Sequence, residues 1–155
     1  MSEQLEILNR AKKEEVKDLL RKRYNLKIDI PHHLIKPAKN KLRIFTGDLN
    51  SQDLLILNAL LTVETVGLYF ASLDDGLRLG YDATMLYAKK ADKNTIILNK
   101  EEAKKWLQGH DLEKETKKGE EGFVVVKHDN DILGVGKATG KKLLNFVPKE
   151  RRVFI

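Results

Sequence analysis

The chain has 155 residues, of which 41% are hydrophobic and 34% charged, with a formal net charge of +6 and a pI near 9.4. It can therefore bury a core and still carry a heavily charged surface, as one compact domain or two small ones. No apolar run approaches the ~20 residues that span a bilayer, the N-terminus lacks a signal-like apolar stretch, and zero cysteines exclude disulfides, thiolate zinc sites and a cysteine nucleophile. A soluble, cytoplasmic protein is expected, with no membrane partner.

Leu5 to Leu8 is apolar enough for a short strand. Asn9 is placed to cap a helix in which Val16, Leu19, Leu20 and Tyr24 form one apolar stripe. Leu26, Ile28 and Ile30 alternate with polar residues, which predicts a strand stopped by Pro31. Lys41 to Thr46 is a second strand, ended by Gly47-Asp48. Asn50 or Ser51 caps a helix from Gln52 to Leu61 that is apolar on most sides and expected to be buried. Val66–Leu73 and Leu77–Tyr81 flank Asp74-Asp75-Gly76, an Asp-Gly hairpin signal. Asp82 then caps a short helix through Tyr87.

The polar stretch from Lys89 to Asn94 is the expected boundary between an N-terminal α+β unit, residues 1–90, and a second unit, residues 91–155. Thr95–Leu98 is a strand. Asn99 caps a helix to Gln108, with Glu102 three residues on as a capping box and Gly109 as its left-handed stop. From there the chain is β-rich. Gly122–Lys127 and Ile132–Ala138 flank a turn at His128–Asp131, and Phe146-Val147 and Arg152–Ile155 are predicted as short strands. The fold class is α+β, the second unit being a small β pseudo-barrel with a lateral helix.

Gly134-Val-Gly-Lys-Ala-Thr-Gly-Lys-Lys142 invites a phosphate-loop reading, but the spacing rejects it. Three residues separate Gly136 from Gly140, five separate Gly134 from it, and Lys142 stands where the loop needs a hydroxyl. The two strand glycines instead mark a barrel corner or leave a shallow groove beside Lys137. No histidine pair has helical metal-ligand spacing, the acidic pairs Asp74-Asp75 and Glu120-Glu121 sit in solvated turns, and no nucleophile–base pattern emerges.

Charge carries the stronger signal. Residues 1–80 hold 13 Lys+Arg against 11 Asp+Glu, residues 81–155 hold 16 against 12, and residues 123–155 hold 7 against 3, so the last 33 residues supply the second half's whole excess. Lys137, Lys141, Lys142, Lys149, Arg151 and Arg152 are candidate phosphate partners. Gln108 and His110, at the end of the lateral helix, are second-rank candidates for hydrogen bonding or stacking. Trp106 belongs with them or, as the stronger reading, packs that helix onto the barrel.

Thr95-Ile-Ile-Leu98, Trp106-Leu-Gln-Gly-His-Asp-Leu112, Gly122-Phe-Val-Val-Val126 and Ile132-Leu-Gly-Val-Gly-Lys137 together resemble a PUA domain over residues 94–153. Gly67-Leu-Tyr-Phe-Ala71 and Gly76-Leu-Arg-Leu-Gly-Tyr-Asp-Ala83 resemble the domain preceding PUA in the Nip-seven-like ribosome-assembly proteins. The resemblance implies RNA binding, with rRNA favoured over tRNA, and an N-terminal unit that docks rRNA or a protein of ribosome assembly or RNA modification. A related domain pair also accompanies RNA cytosine-5 methyltransferases, but this chain has neither room for that domain nor a cysteine. Binding without catalysis or cofactor is the expectation. The rival readings are an adaptor in an RNA-modification complex, which an exposed apolar patch on the first half would favour, and an RNA-modifying enzyme, which needs a pocket of convergent titratable groups.

Overall fold

In the computed structural model, residues 5–30, 32–38, 40–61, 66–74, 76–117 and 121–154 are described. β1 (Glu6–Ile7), α1 (Arg10–Tyr24), β2 (His33–Ala38), β3 (Lys41–Phe45), α2 (Ser51–Leu60), β4 (Leu68–Ser72), β5 (Arg78–Leu79) and α3 (Tyr81–Tyr87) precede a short 3-10 turn, Ala88–Lys90. β6 (Thr95–Ile97), α4 (Lys100–Leu107), β7 (Leu112–Glu113), β8 (Gly122–His128), β9 (Asp131–Ala138) and β10 (Lys142–Asn145) follow, with a last 3-10 turn at Lys149–Arg151. The first five strands form an antiparallel sheet in chain order. The second sheet, in the order β6-β8-β9-β10-β7, has one parallel pair, β6 with β8, and curls into a half-barrel. The α+β class with a lateral helix, α4, is as expected, and among the described residues no helix is long and apolar enough to cross a membrane.

The asparagine caps form as the sequence implies. Asn9, Asn50 and Asn99 each accept a backbone N–H from the first turn that follows, and Asn50 with Asp53 and Asn99 with Glu102 complete reciprocal boxes. Asp82 does not cap α3. Gly80 takes that position, pressed against the Tyr69 ring, where a Cβ would lie 2.6 Å from a ring carbon.

β8 is the spine of the molecule. Its side chains alternate between two cores. Phe123 and Val125, with Val135 of β9, pack among Leu20, Tyr24, Phe70 and Leu79 of the first sheet and α1. Val124 and Val126 face Trp106, Leu98 and Leu143 in the second core. A strand buried on both faces reads as a continuous apolar run, which explains Phe-Val-Val-Val.

Four expectations are corrected. Leu26 and Ile30 are buried as an alternating segment should be, but their backbone joins no sheet; the strand is His33–Ala38 instead. Pro37 is tolerated there because the pairing register shifts between Ile35 and Ala38. Within α2 only Leu54 is buried, while Ile56 is 56%, Leu60 77% and the following Leu61 61% exposed; on α1, Leu19 also faces outward. Phe146-Val147 and Arg152–Phe154 are not strands: β10 ends at Asn145, where the Asn145 side chain accepts the Val147 N–H in place of a ladder partner. Ile155 lies outside the described residues, as do Asp75 of the first hairpin, Pro31 and Glu120.

The segment expected as a boundary is tightly fastened. Lys127, on the same face as Phe123 and Val125, is buried and donates to the Lys89 and Ala91 carbonyls at 2.8 Å each. Burial pushes its pKa down, and the nearby Asp92 charge offsets part of that. Tyr24, at the end of α1, donates its hydroxyl to the Leu77 carbonyl at 2.6 Å inside the shared core. Desolvation raises its pKa. Replacing Tyr24 by Phe keeps the ring and strands that carbonyl, at a cost of about 1–3 kcal/mol. Chemical denaturation should show the loss at unchanged slope, and an unchanged midpoint would refute the assigned bond.

Candidate nucleic-acid interface

The basic residues singled out above fall into four places. Lys141 and Lys142 are exposed at the β9–β10 turn, which is held by Thr139: its hydroxyl accepts the Lys142 N–H and its N–H reaches the Lys142 carbonyl. Lys142 stands opposite Glu113 across the sheet. Lys114, just beyond β7, is committed to Glu102 at 3.0 Å. Burial pushes the Glu102 carboxyl up, but the Asn99 N–H and the Lys114 ammonium outweigh it and hold its pKa below the ordinary range. Among the described residues, the cations without a carboxylate partner at this end are the two turn lysines and Lys117.

Gln108, His110 and Arg152 gather where α4 stops. Gly109 has φ +95°, and the Arg152 side chain passes so close that a Cβ there would lie 2.5 Å from its Cδ. Arg152 also donates through Nε to the Val147 carbonyl. Exposed His110 and half-buried Gln108 line a depression of about 610 Å³ with Val153 and Phe154, the latter 88% exposed. The Val153 N–H bonds the Leu107 carbonyl at 2.8 Å and lays the chain end along the helix end.

Lys137 is elsewhere. It alternates away from Gly134 and Gly136 and stands over the Phe123 ring, 5.4 Å from its centroid. Neither glycine leaves a groove: a Cβ on Gly136 would sit 2.6 Å from the Trp106 indole, and one on Gly134 would sit 3.3 Å from Tyr81 and Val147. Trp106 is fully buried and donates Nε1–H to the Leu133 carbonyl at 3.1 Å, so it packs the barrel and is not a stacking platform. Lys149 is exposed on the final 3-10 turn, while Arg151 is paired with Asp82 at 3.2 Å and lies over Tyr81.

Two features escaped the sequence reading. Asn145 organises the helix end: its Nδ2 donates to the Trp106 and His110 carbonyls at 2.8 and 3.1 Å, and its own N–H bonds the Asp111 carboxylate at 2.7 Å. Arg78 lies between the two sheets, near Phe123 and Phe146, and nothing local in sequence connects it with the C-terminal cations. Among the described residues no three His, Asp or Glu side chains converge as a metal site. His128 is occupied by the Leu98 carbonyl at 2.8 Å.

Asn145→Asp tests the helix-end arrangement. It keeps the shape but turns the donor toward two carbonyls into an acceptor, so stability should fall by about 1–3 kcal/mol, visible as a lower thermal midpoint. Retained wild-type stability would refute the bonding scheme.

Comparison with known proteins bears on the same region. Residues 93–153 match the family model described as the methyltransferase RsmF PUA domain. Relatives are proteins named ribosomal RNA small subunit methyltransferase F. That of Vibrio cholerae (strain M66-2) is 28% identical over 75 residues, 48% of this chain and 16% of the relative. The Photobacterium profundum protein is 35% identical over 75 residues, with the same coverage. The Shewanella oneidensis protein is 26% identical over 127 residues, 81% of this chain and 26% of the relative. The chain therefore spans between a sixth and about a quarter of the length of these three relatives. The likeness to a PUA domain over the second unit is borne out by sequence match and by the curled sheet together.

Proposed function

We propose that this chain is a non-catalytic, cytoplasmic RNA-binding protein that engages ribosomal RNA and acts in ribosome assembly, in the manner of the Nip-seven-like proteins. The observation that carries the reading is the PUA match over residues 93–153, a stretch with a net basic excess. The relatives' names refer to small-subunit ribosomal RNA, which favours rRNA over tRNA. Lys141, Lys142 and Lys149, exposed and without a carboxylate partner among the described residues, are the groups best placed to release counterions from a phosphate backbone. Arg151 and Arg152 contribute less, since one is paired with Asp82 and the other donates to the Val147 carbonyl and lies against Gly109.

One observation favours a second reading. The outward leucines of α2 make an apolar surface on the first unit, as an adaptor in a tRNA- or rRNA-modification complex would need. Co-purification of a modification enzyme that survives nuclease treatment would favour this reading over the first.

An RNA mobility shift across a salt series tests the main proposal. Affinity should fall as salt rises, and Lys141→Ala with Lys142→Ala should lower the log–log slope by about 2, roughly one for each phosphate deprived of its lysine. Arg151→Ala with Arg152→Ala should lower it less. Absence of binding by the unaltered protein at low salt would overturn the function, and an unchanged slope in both doubles would overturn the site.

A further inference from the structure

Between the two sheets runs a groove of about 250 Å³ lined by Tyr69, Arg78, Tyr81, Phe146 and Pro148, with Val135 and Leu79 beneath. Its chemistry differs from the exposed lysine turns. Phe123 and Phe146 meet edge to face, centroids 5.5 Å apart at 83°. The Arg78 guanidinium carbon stands 5.3 Å from one ring centre and 5.6 Å from the other. Lys137 approaches the same Phe123 ring at 5.4 Å. Ring quadrupoles hold each cation in place but do not neutralise it. Among the described residues neither Arg78 nor Lys137 has a carboxylate within ion-pair distance.

The acidic group at the rim, Asp82, is already paired with Arg151, whose guanidinium lies 5.7 Å from the Tyr81 ring centre. That leaves Arg78 unpaired on the Phe123–Phe146 pair in the wall of a cleft with exposed ring surface, and a second unpaired cation, Lys137, on the same Phe123 ring. Such an arrangement is completed by an anion that brings a flat apolar group with it. The volume lies below the roughly 300–1,000 Å³ usual for small-molecule pockets, so one unit of a longer polymer fits better than an enclosed cofactor.

From this juxtaposition we infer that the seam groove binds one unpaired nucleotide of an RNA strand, its phosphate held by Arg78 and Lys137 and its base stacked on Phe146 or Tyr81. The inference rests on the RNA-binding reading above and extends it from the second unit to the first, because Arg78, Tyr69 and Tyr81 belong to the first sheet and its following helix. Aromatic faces interleaved with cations are how proteins hold single-stranded RNA with little regard to sequence.

The test uses the full chain and a single-stranded ten-nucleotide oligouridylate, measured by fluorescence anisotropy at several salt concentrations. Arg78→Met keeps an aliphatic stem against the rings and removes the charge. It should weaken binding at least tenfold and reduce the salt slope by about 1. Phe146→Leu should weaken binding roughly fivefold or more, the lower end expected for one base stack. Buried Trp106 reports by fluorescence whether each variant is folded. For any variant that is not, ultraviolet crosslinking of 4-thiouridine RNA to the unaltered chain decides: adducts on Tyr69, Tyr81 or Phe146 support the site, and adducts confined to other residues overturn it. If folded Arg78→Met binds within twofold of wild type while the Lys141/Lys142 double is weakened, the groove is overturned and the RNA-binding reading stands. If the unaltered chain binds no RNA at low salt, that reading fails and the groove fails with it.

Discussion

The last turn of α1 leaves carbonyls without helical partners, and the chain fills them from the far side of its own seam. The Lys22 carbonyl accepts from Lys93 Nζ at 2.8 Å, the Arg23 carbonyl from Asn94 Nδ2 at 2.6 Å, and the Tyr24 carbonyl from the Asp92 backbone N–H at 3.3 Å. Helix ends need such donors from somewhere. Here they come from the segment that opens the second sheet. Arg23 returns the arrangement by donating to the Phe123 carbonyl at 2.7 Å, at the start of β8. The helix end and the spine strand are thereby fixed to each other before any side chain of the core is considered.

Burial follows from that fixation. With β8 held beside α1, Phe123 and Val125 complete the first core and Val124 and Val126 complete the second, so one strand closes both. Lys127 continues the same face and reaches the carbonyls of the connecting segment, and a buried ammonium is tolerable there because it is hydrogen-bonded. The groove between the sheets, with Arg78 on one wall and Phe146 on the other, inherits its shape from this seam. A site assembled from both units is a defined site only if the units do not move independently.

Local chemistry was legible in the sequence and distant chemistry was not. The three asparagine caps, the Gly109 stop and the β8–β9 hairpin depend on residues within a few positions of one another and form as read, while the equally local Asp82 cap does not. Leu26–Ile30 misled because alternation reports burial, and burial does not require a sheet partner. His33–Ala38 was hidden by Pro37, which a register shift accommodates. The leucines of α2 looked like core because hydrophobicity does not say whether another layer covers a helix; only Leu54 finds partners, in Leu5 and Ile35. Gly136 was seen as open space, but the space belongs to Trp106, thirty positions earlier. Of the basic residues, counting found the exposed Lys141, Lys142 and Lys149 but could not see that Arg151 and Arg152 are engaged. It also missed Arg78, whose aromatic partners lie 45 and 68 positions away.

The central claim is that the two sheets are joined through α1 and β8 into one cooperative body. Native-state hydrogen exchange measures this directly, amide by amide, across rising denaturant. The amides of Leu20 to Asn25 in the first unit and of Val124 to Lys127 in the second should merge into the same global opening, with one free energy and one denaturant dependence. A second sheet that keeps its protection while the α1 amides open at distinctly lower free energy would contradict the account.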